Sequence, residues 1–142
     1  MNTPRTAPIA RRTFLTTAAA VTTFTVLKSG TVFGAEANSK LDIGLIGCGG
    51  RGAWIADLFM NTGKYRLAAC ADYFSDRIQA VGAKHGVEVG RRYSGLSGYK
   101  RLLESKLDAV VIETPPYFHP QQCADAVEAG KHVFAAKPVA VD

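Results

Sequence analysis

The run Leu41-Asp42-Ile43-Gly44-Leu45-Ile46-Gly47-Cys48-Gly49-Gly50-Arg51-Gly52 constrains this chain more than any other stretch. A short apolar segment, Leu41 to Ile46, reads as a buried strand. A G-x-G-x-x-G turn follows on Gly47, Gly49 and Gly52, and a helix begins there. Asp72 stands twenty positions after Gly52, at the end of a second apolar run, Tyr65 to Ala71. Strand, glycine turn, helix and spaced acid together are the dinucleotide-binding arrangement. Gly47 allows the tight turn, Gly49 lets a pyrophosphate approach the backbone, and Gly52 lets helix and strand pack closely. The free N–H groups of Cys48, Gly49, Gly50 and Arg51 at the helix N-terminus favour a diphosphate. Asp72 is placed to accept hydrogen bonds from the adenosine ribose. Its carboxylate repels a 2′-phosphate, which favours NAD over NADP. Arg77, five residues on, either softens that preference or faces solvent.

The first 37 residues have a different character. Arg11-Arg12-Thr13-Phe14-Leu15 has the form of a twin-arginine export motif. The apolar stretch that follows, Phe14 to Leu27, is too short and too polar for a stable membrane span. Ala35-Glu36-Ala37 offers a small-x-small cleavage site. Residues 1–37 are therefore read as an exported protein's signal, with the mature chain at residues 38–142. An uncleaved anchor or a disordered basic arm are the other readings. Four cations against one acid give this segment +3 of the chain's +5, so the mature part keeps +2. The basic balance belongs largely to the leader and does not indicate nucleic-acid binding.

Along residues 38–142 strands and helices alternate, which implies a parallel sheet covered on both faces. Strands are expected at Leu41–Ile46, Tyr65–Ala71, around Arg91-Arg92-Tyr93, at Asp108–Glu113 and at His132–Ala135. Helices are expected at Arg51–Asn61, with Trp54, Ile55, Leu58 and Phe59 inward, and at Asp76–His85, capped by Ser75. Two more fall at Ser97–Glu104 and His119–Ala129. Right-handed crossovers then give strand order 3-2-1-4-5. The fold class is α/β, a Rossmann-type doubly wound sheet that stops after about five strands, so the chain reads as the front of a longer protein. Cys48, Cys70 and Cys123 form no C-x-x-C and read as buried free thiols. No cluster has metal-ligand spacing.

Three stretches together resemble the glucose–fructose oxidoreductase, inositol dehydrogenase and MocA (Gfo/Idh/MocA) family. They are Gly44 to Gly52, Asp108-Ala109-Val110-Val111-Ile112-Glu113-Thr114-Pro115-Pro116-Tyr117-Phe118-His119, and Ala129-Gly130-Lys131-His132-Val133-Phe134-Ala135-Ala136-Lys137-Pro138. The resemblance implies a nicotinamide cofactor and a sugar or polyol substrate. It implies that Thr114, Pro115 and His119 belong to a T-P-x-x-x-H segment lining the nicotinamide side. It also implies that Lys137 lies near the reacting carbon, where a cation suits a developing alkoxide. His119, read from its own place, caps or orients its helix, and His85 and His132 read as structural. The family's glutamate before the lysine is Ala136 here. Its catalytic histidine belongs to a second domain beyond residue 142, so this chain alone is expected to be inactive. Three functions follow from this reading. The first is the cofactor domain of an exported, NAD-dependent oxidoreductase, which can form a homo-oligomer. The second is an NAD-dependent glycosidase of the same family. The third is a non-catalytic dinucleotide-binding module or fragment.

Overall fold

The structure, a computed structural model, describes residues 40–141. The expected leader, residues 1–37, lies outside them. The described residues form β1 (Leu41–Ile46), α1 (Gly50–Asn61), β2 (Tyr65–Asp72), α2 (Ser75–Lys84) and β3 (Arg92–Ser94). They continue with α3 (Gly98–Leu103), β4 (Ala109–Ile112), α4 (His119–Glu128) and β5 (His132–Ala135). All four strand pairings are parallel and the order is β3-β2-β1-β4-β5, as expected.

Alternation along each strand divides the core between the two faces. Ile43 and Leu45 of β1 pack with Leu67, Cys70 and Val111 against Ile55 of α1 and Ile78 of α2. Ile46 packs with Ala71 and Ile112 against Tyr99 and Leu102 of α3 and Ala126 of α4. Gly44 thins the sheet on this second face, since a Cβ there would stand 2.7 Å from Leu102 Cδ2. Burial on both faces explains why the strands read as continuous apolar runs.

Two details depart from the sequence reading. In α1 the buried stripe is Gly52, Ile55 and Ala56 with Phe59 half-buried, while Trp54 and Leu58 are 53% and 46% exposed. The helix packs where its side chains are small, so its stripe starts at Gly52 and the larger pair rotates outward. Ser75 is not a cap but the first residue of α2, and the N-cap is Phe74, without a side-chain cap bond. The Phe74 N–H donates instead to Asp72 Oδ1 at 2.9 Å, so the acid closes this turn. Smaller differences are the ends of elements. α1 begins at Gly50, β2 reaches Asp72, and β4 leaves Asp108 and Glu113 just outside. Gly86 and Gly130, both at φ +70°, end α2 and α4 where expected.

Candidate functional site

The glycines of the loop between β1 and α1 fall into two kinds. Gly47 has φ +95°, and a Cβ on it would lie 2.6 Å from the carbonyl carbon of Glu113. A Cβ on Gly52 would collide with the carbonyl oxygen of Gly47. These two are demanded by the protein's own packing. Gly49 has extended backbone, φ −65° and ψ −177°, and a Cβ there would meet only Arg77 Nη1 at 3.5 Å. Gly50 would meet nothing within 4 Å. Their bareness leaves the N-terminus of α1 open to a ligand, which is what a diphosphate requires.

Asp72 reaches this loop from the end of β2. Its Oδ2 accepts the Cys48 N–H at 2.6 Å while Oδ1 holds the Phe74 N–H. The acid thus orients the glycine loop and keeps its remaining lone pairs for a ribose. The Cys48 thiol donates to the Ala71 carbonyl at 3.6 Å. Contact with the Cys70 thiol, then burial, pushes Cys48 far up from its ordinary value, so it stays a neutral thiol. Cys48 and Cys70 are buried free thiols, as expected, whereas Cys123 is only half-buried.

Beside Asp72 lies an apolar cavity of about 420 Å³, walled by Ile46, Phe74, Leu96, Thr114, Pro115 and Phe118 among others. Arg77 forms part of its wall, its guanidinium carbon 4.4 Å from the centroid of the Phe74 ring. Arg77 therefore borders the cavity while remaining exposed to solvent, so both sequence readings of it stand. An apolar slot next to a ribose-facing acid suits an adenine ring. The loop, acid and cavity therefore fit a dinucleotide.

The Thr-Pro segment forms part of the wall of this same cavity. Thr114 Oγ1 donates to Gln122 Oε1 at 2.6 Å. His119 is 1% exposed and lies behind this wall, outside the residues that line the cavity. Its Nε2 faces the Thr114 carbonyl at 2.7 Å and its Nδ1 the Pro138 carbonyl at 2.6 Å. Each ring nitrogen thus faces one backbone carbonyl, and a neutral imidazole donates to one of the two at a time. His119 does more than orient its helix: it ties the Thr114–Pro115 loop to the Lys137–Pro138 turn. Lys137 itself is exposed. It follows Ala136, whose N–H donates to the Ile112 carbonyl at 2.9 Å, so the lysine stands at the carboxyl end of the sheet.

Sequence reasoning passed over Glu113, taking it as the last residue of a strand. Its side chain is fully buried, and Oε2 accepts from Arg51 Nε at 2.8 Å. Arg51 is thereby held at the first turn of α1. The available signal was a charge ending an apolar run directly before Thr114-Pro115. Among the described residues no cluster of His, Cys, Asp and Glu could hold a metal ion, and no helix is long and apolar enough to cross a membrane.

Comparison with known proteins agrees with this geometry. Residues 41–142 match the Gfo/Idh/MocA oxidoreductase family, NAD-binding Rossmann fold. A glycosyl hydrolase family 109 protein of Streptomyces niveus is 31% identical over 112 residues, 75% of this chain and 22% of that protein. The solved dehydrogenase WlbA of Bordetella pertussis, in complex with NADH and UDP-GlcNAcA, superposes with TM-score 0.62 at 31% identity. The match covers 72% of this chain and 30% of that one. Myo-inositol 2-dehydrogenase of Lactobacillus plantarum gives TM-score 0.64 at 28% identity, covering 73% and 30%. The chain thus spans between a fifth and a third of the length of these relatives. With its glycine loop, its acid at the end of β2 and a family match over residues 41–142, the chain belongs to the Gfo/Idh/MocA oxidoreductases and carries their NAD-binding Rossmann fold.

Proposed function

We propose that residues 38–142 are the cofactor domain of an exported oxidoreductase that uses NAD to oxidise or reduce a hydroxyl carbon of a sugar or polyol. The observation that carries this reading is the Asp72–Cys48 hydrogen bond, which sets a ribose-binding acid against the glycine loop beside an apolar cavity. The N–H groups of Gly49, Gly50 and Arg51 then hold the diphosphate, and Thr114 and Pro115 flank the bound cofactor. Lys137 polarises the substrate oxygen as hydride moves. Relatives that act on nucleotide sugars and inositols support the substrate class.

Calorimetric titration of the chain with NAD and NADP tests the cofactor role. NAD is expected to bind roughly tenfold tighter, because Asp72 opposes a 2′-phosphate. Equal affinities would overturn the selectivity, and no binding by a folded chain would overturn the role itself. Residues 1–37 act in this proposal as a twin-arginine leader. Replacing Arg11 and Arg12 with Lys should then hold the precursor in the cytoplasm, and unimpaired export would refute it.

The resemblance to a glycosyl hydrolase family 109 protein favours a second reading, an NAD-dependent glycosidase. Turnover of a nitrophenyl glycoside by the whole protein without net NADH would select it. Accumulation of NADH with a free polyol would select the dehydrogenase.

A further inference from the structure

Beyond the adenosine side, and resting on the dinucleotide reading, we propose that Glu113 is a second ribose-binding acid. It accepts a hydrogen bond from a hydroxyl of the nicotinamide-side ribose. The register of the sheet carries the argument. Ile46, the last residue of β1, is paired with Ala71 on one side and Ile112 on the other. Asp72 and Glu113 are each one residue further along. The two acids therefore stand at the same level, on either side of Gly47, their backbones roughly 10 Å apart at twice the strand spacing. Residues in register share a face, and both acids reach the α1 side: Asp72 bonds Cys48 N–H, and Glu113 bonds Arg51. A diphosphate at the N-terminus of α1 lies between them, so each acid adjoins one of the two riboses.

The chemistry at Glu113 points the same way. Its Oε2 is taken by Arg51, but Oε1 is buried and has no hydrogen-bond partner. A carboxylate oxygen in that condition is costly, and a small apolar residue would serve the fold better. An ionised carboxylate can only accept, so the missing partner must donate. A diphosphate has no donor at neutral pH, whereas a ribose diol has two. Arg51 is 61% exposed and engages Glu113 through Nε alone among the described residues. Its Nη groups are free to turn toward a diphosphate, opening Glu113 to the adjoining sugar.

Titration of the full chain and of its Glu113→Gln and Glu113→Ala variants with NAD, ADP-ribose and ADP tests this. NAD and ADP-ribose carry the second ribose, and ADP does not. Both variants should bind NAD and ADP-ribose about tenfold more weakly, with ADP within about twofold and the melting temperature unchanged or raised. An equal loss for ADP would mean that Glu113 acts only by holding Arg51 at the diphosphate, and would overturn the proposal; so would no loss at all. Should a variant fail to fold, the unaltered chain decides with NAD analogues lacking the 2′- or the 3′-hydroxyl of the nicotinamide ribose. Weaker binding of one of them supports the assignment, and full affinity for both refutes it. An unaltered chain that binds neither NAD nor ADP would instead overturn the dinucleotide reading, and this inference with it.

Discussion

The two ends of the sheet use charge in opposite ways. At the amino end Asp42 of β1 takes Arg66 of β2 through two bonds, Nε at 2.7 Å and Nη2 at 2.6 Å. Its own N–H donates to Asp108 Oδ2 at 2.7 Å, and Lys131 Nζ donates to the Leu107 carbonyl at 3.1 Å. Side chains there satisfy one another or the backbone beside them. At the carboxyl end Asp72 accepts one backbone N–H from the glycine loop, Cys48, and one from its own turn, Phe74, and Glu113 keeps one oxygen without a partner. A sheet whose charges were placed for stability alone would resemble its amino end throughout. The contrast marks the carboxyl end as the one built to receive a ligand, as expected of open parallel sheets.

The glycine loop offers the sharpest way to break this contrast, because its residues serve the fold and the ligand separately. Gly52→Ala drives a Cβ into the Gly47 carbonyl, backbone against backbone. It should cost about 3 kcal/mol, the upper range for overpacking, and with it most of the cooperative transition in denaturant. A Gly52→Ala chain with an unchanged midpoint would show that the loop is not packed as described. Gly49→Ala should behave differently. Its backbone is open to any residue and its nearest neighbour is an arginine tip at 3.5 Å. Stability should move by less than about 1 kcal/mol, the scale of an N-cap change, while NAD affinity falls roughly tenfold. Retained affinity would remove the diphosphate from this face of α1.

Most of the fold was legible because it rests on local signals. β5 begins and ends where Gly130-Lys131 and Ala136-Lys137 bound an apolar run, and the strand order follows from handed crossovers. The glycine loop and Asp72 were legible because motif spacing encodes their contact. What escaped was contact made by folding distant segments together. Arg51 and Glu113 are 62 residues apart, and His119 joins a carbonyl 5 residues before it to one 19 residues after it. No period or spacing carries that information. The face of α1 escaped for another reason: size suggested Trp54 and Leu58, but close packing on β1 selects small residues.

The smallest effect belongs to the amino end, where the comparison can be sharpened with acid. The Arg66 guanidinium, through its hydrogen bonds and then its charge, holds the Asp42 carboxyl below its ordinary value of 3.8. A carboxyl whose folded value is depressed contributes stability that is fully present above the unfolded value and lost as pH falls through the folded one. The unaltered chain should therefore lose this contribution below about pH 4, and an Arg66→Met chain should have little of it to lose. The Arg66 side chain is 66% exposed, so solvent screening holds the difference at pH 7 to under about 1 kcal/mol. Denaturant unfolding of both chains at pH 7 and pH 3 measures it, and the gap between them should narrow on acidification. NAD affinity at pH 7 should be the same for both. A loss of affinity in Arg66→Met comparable to that in Gly49→Ala would mean that the two ends are coupled through β1 and β2, and the division of labour between them would fail.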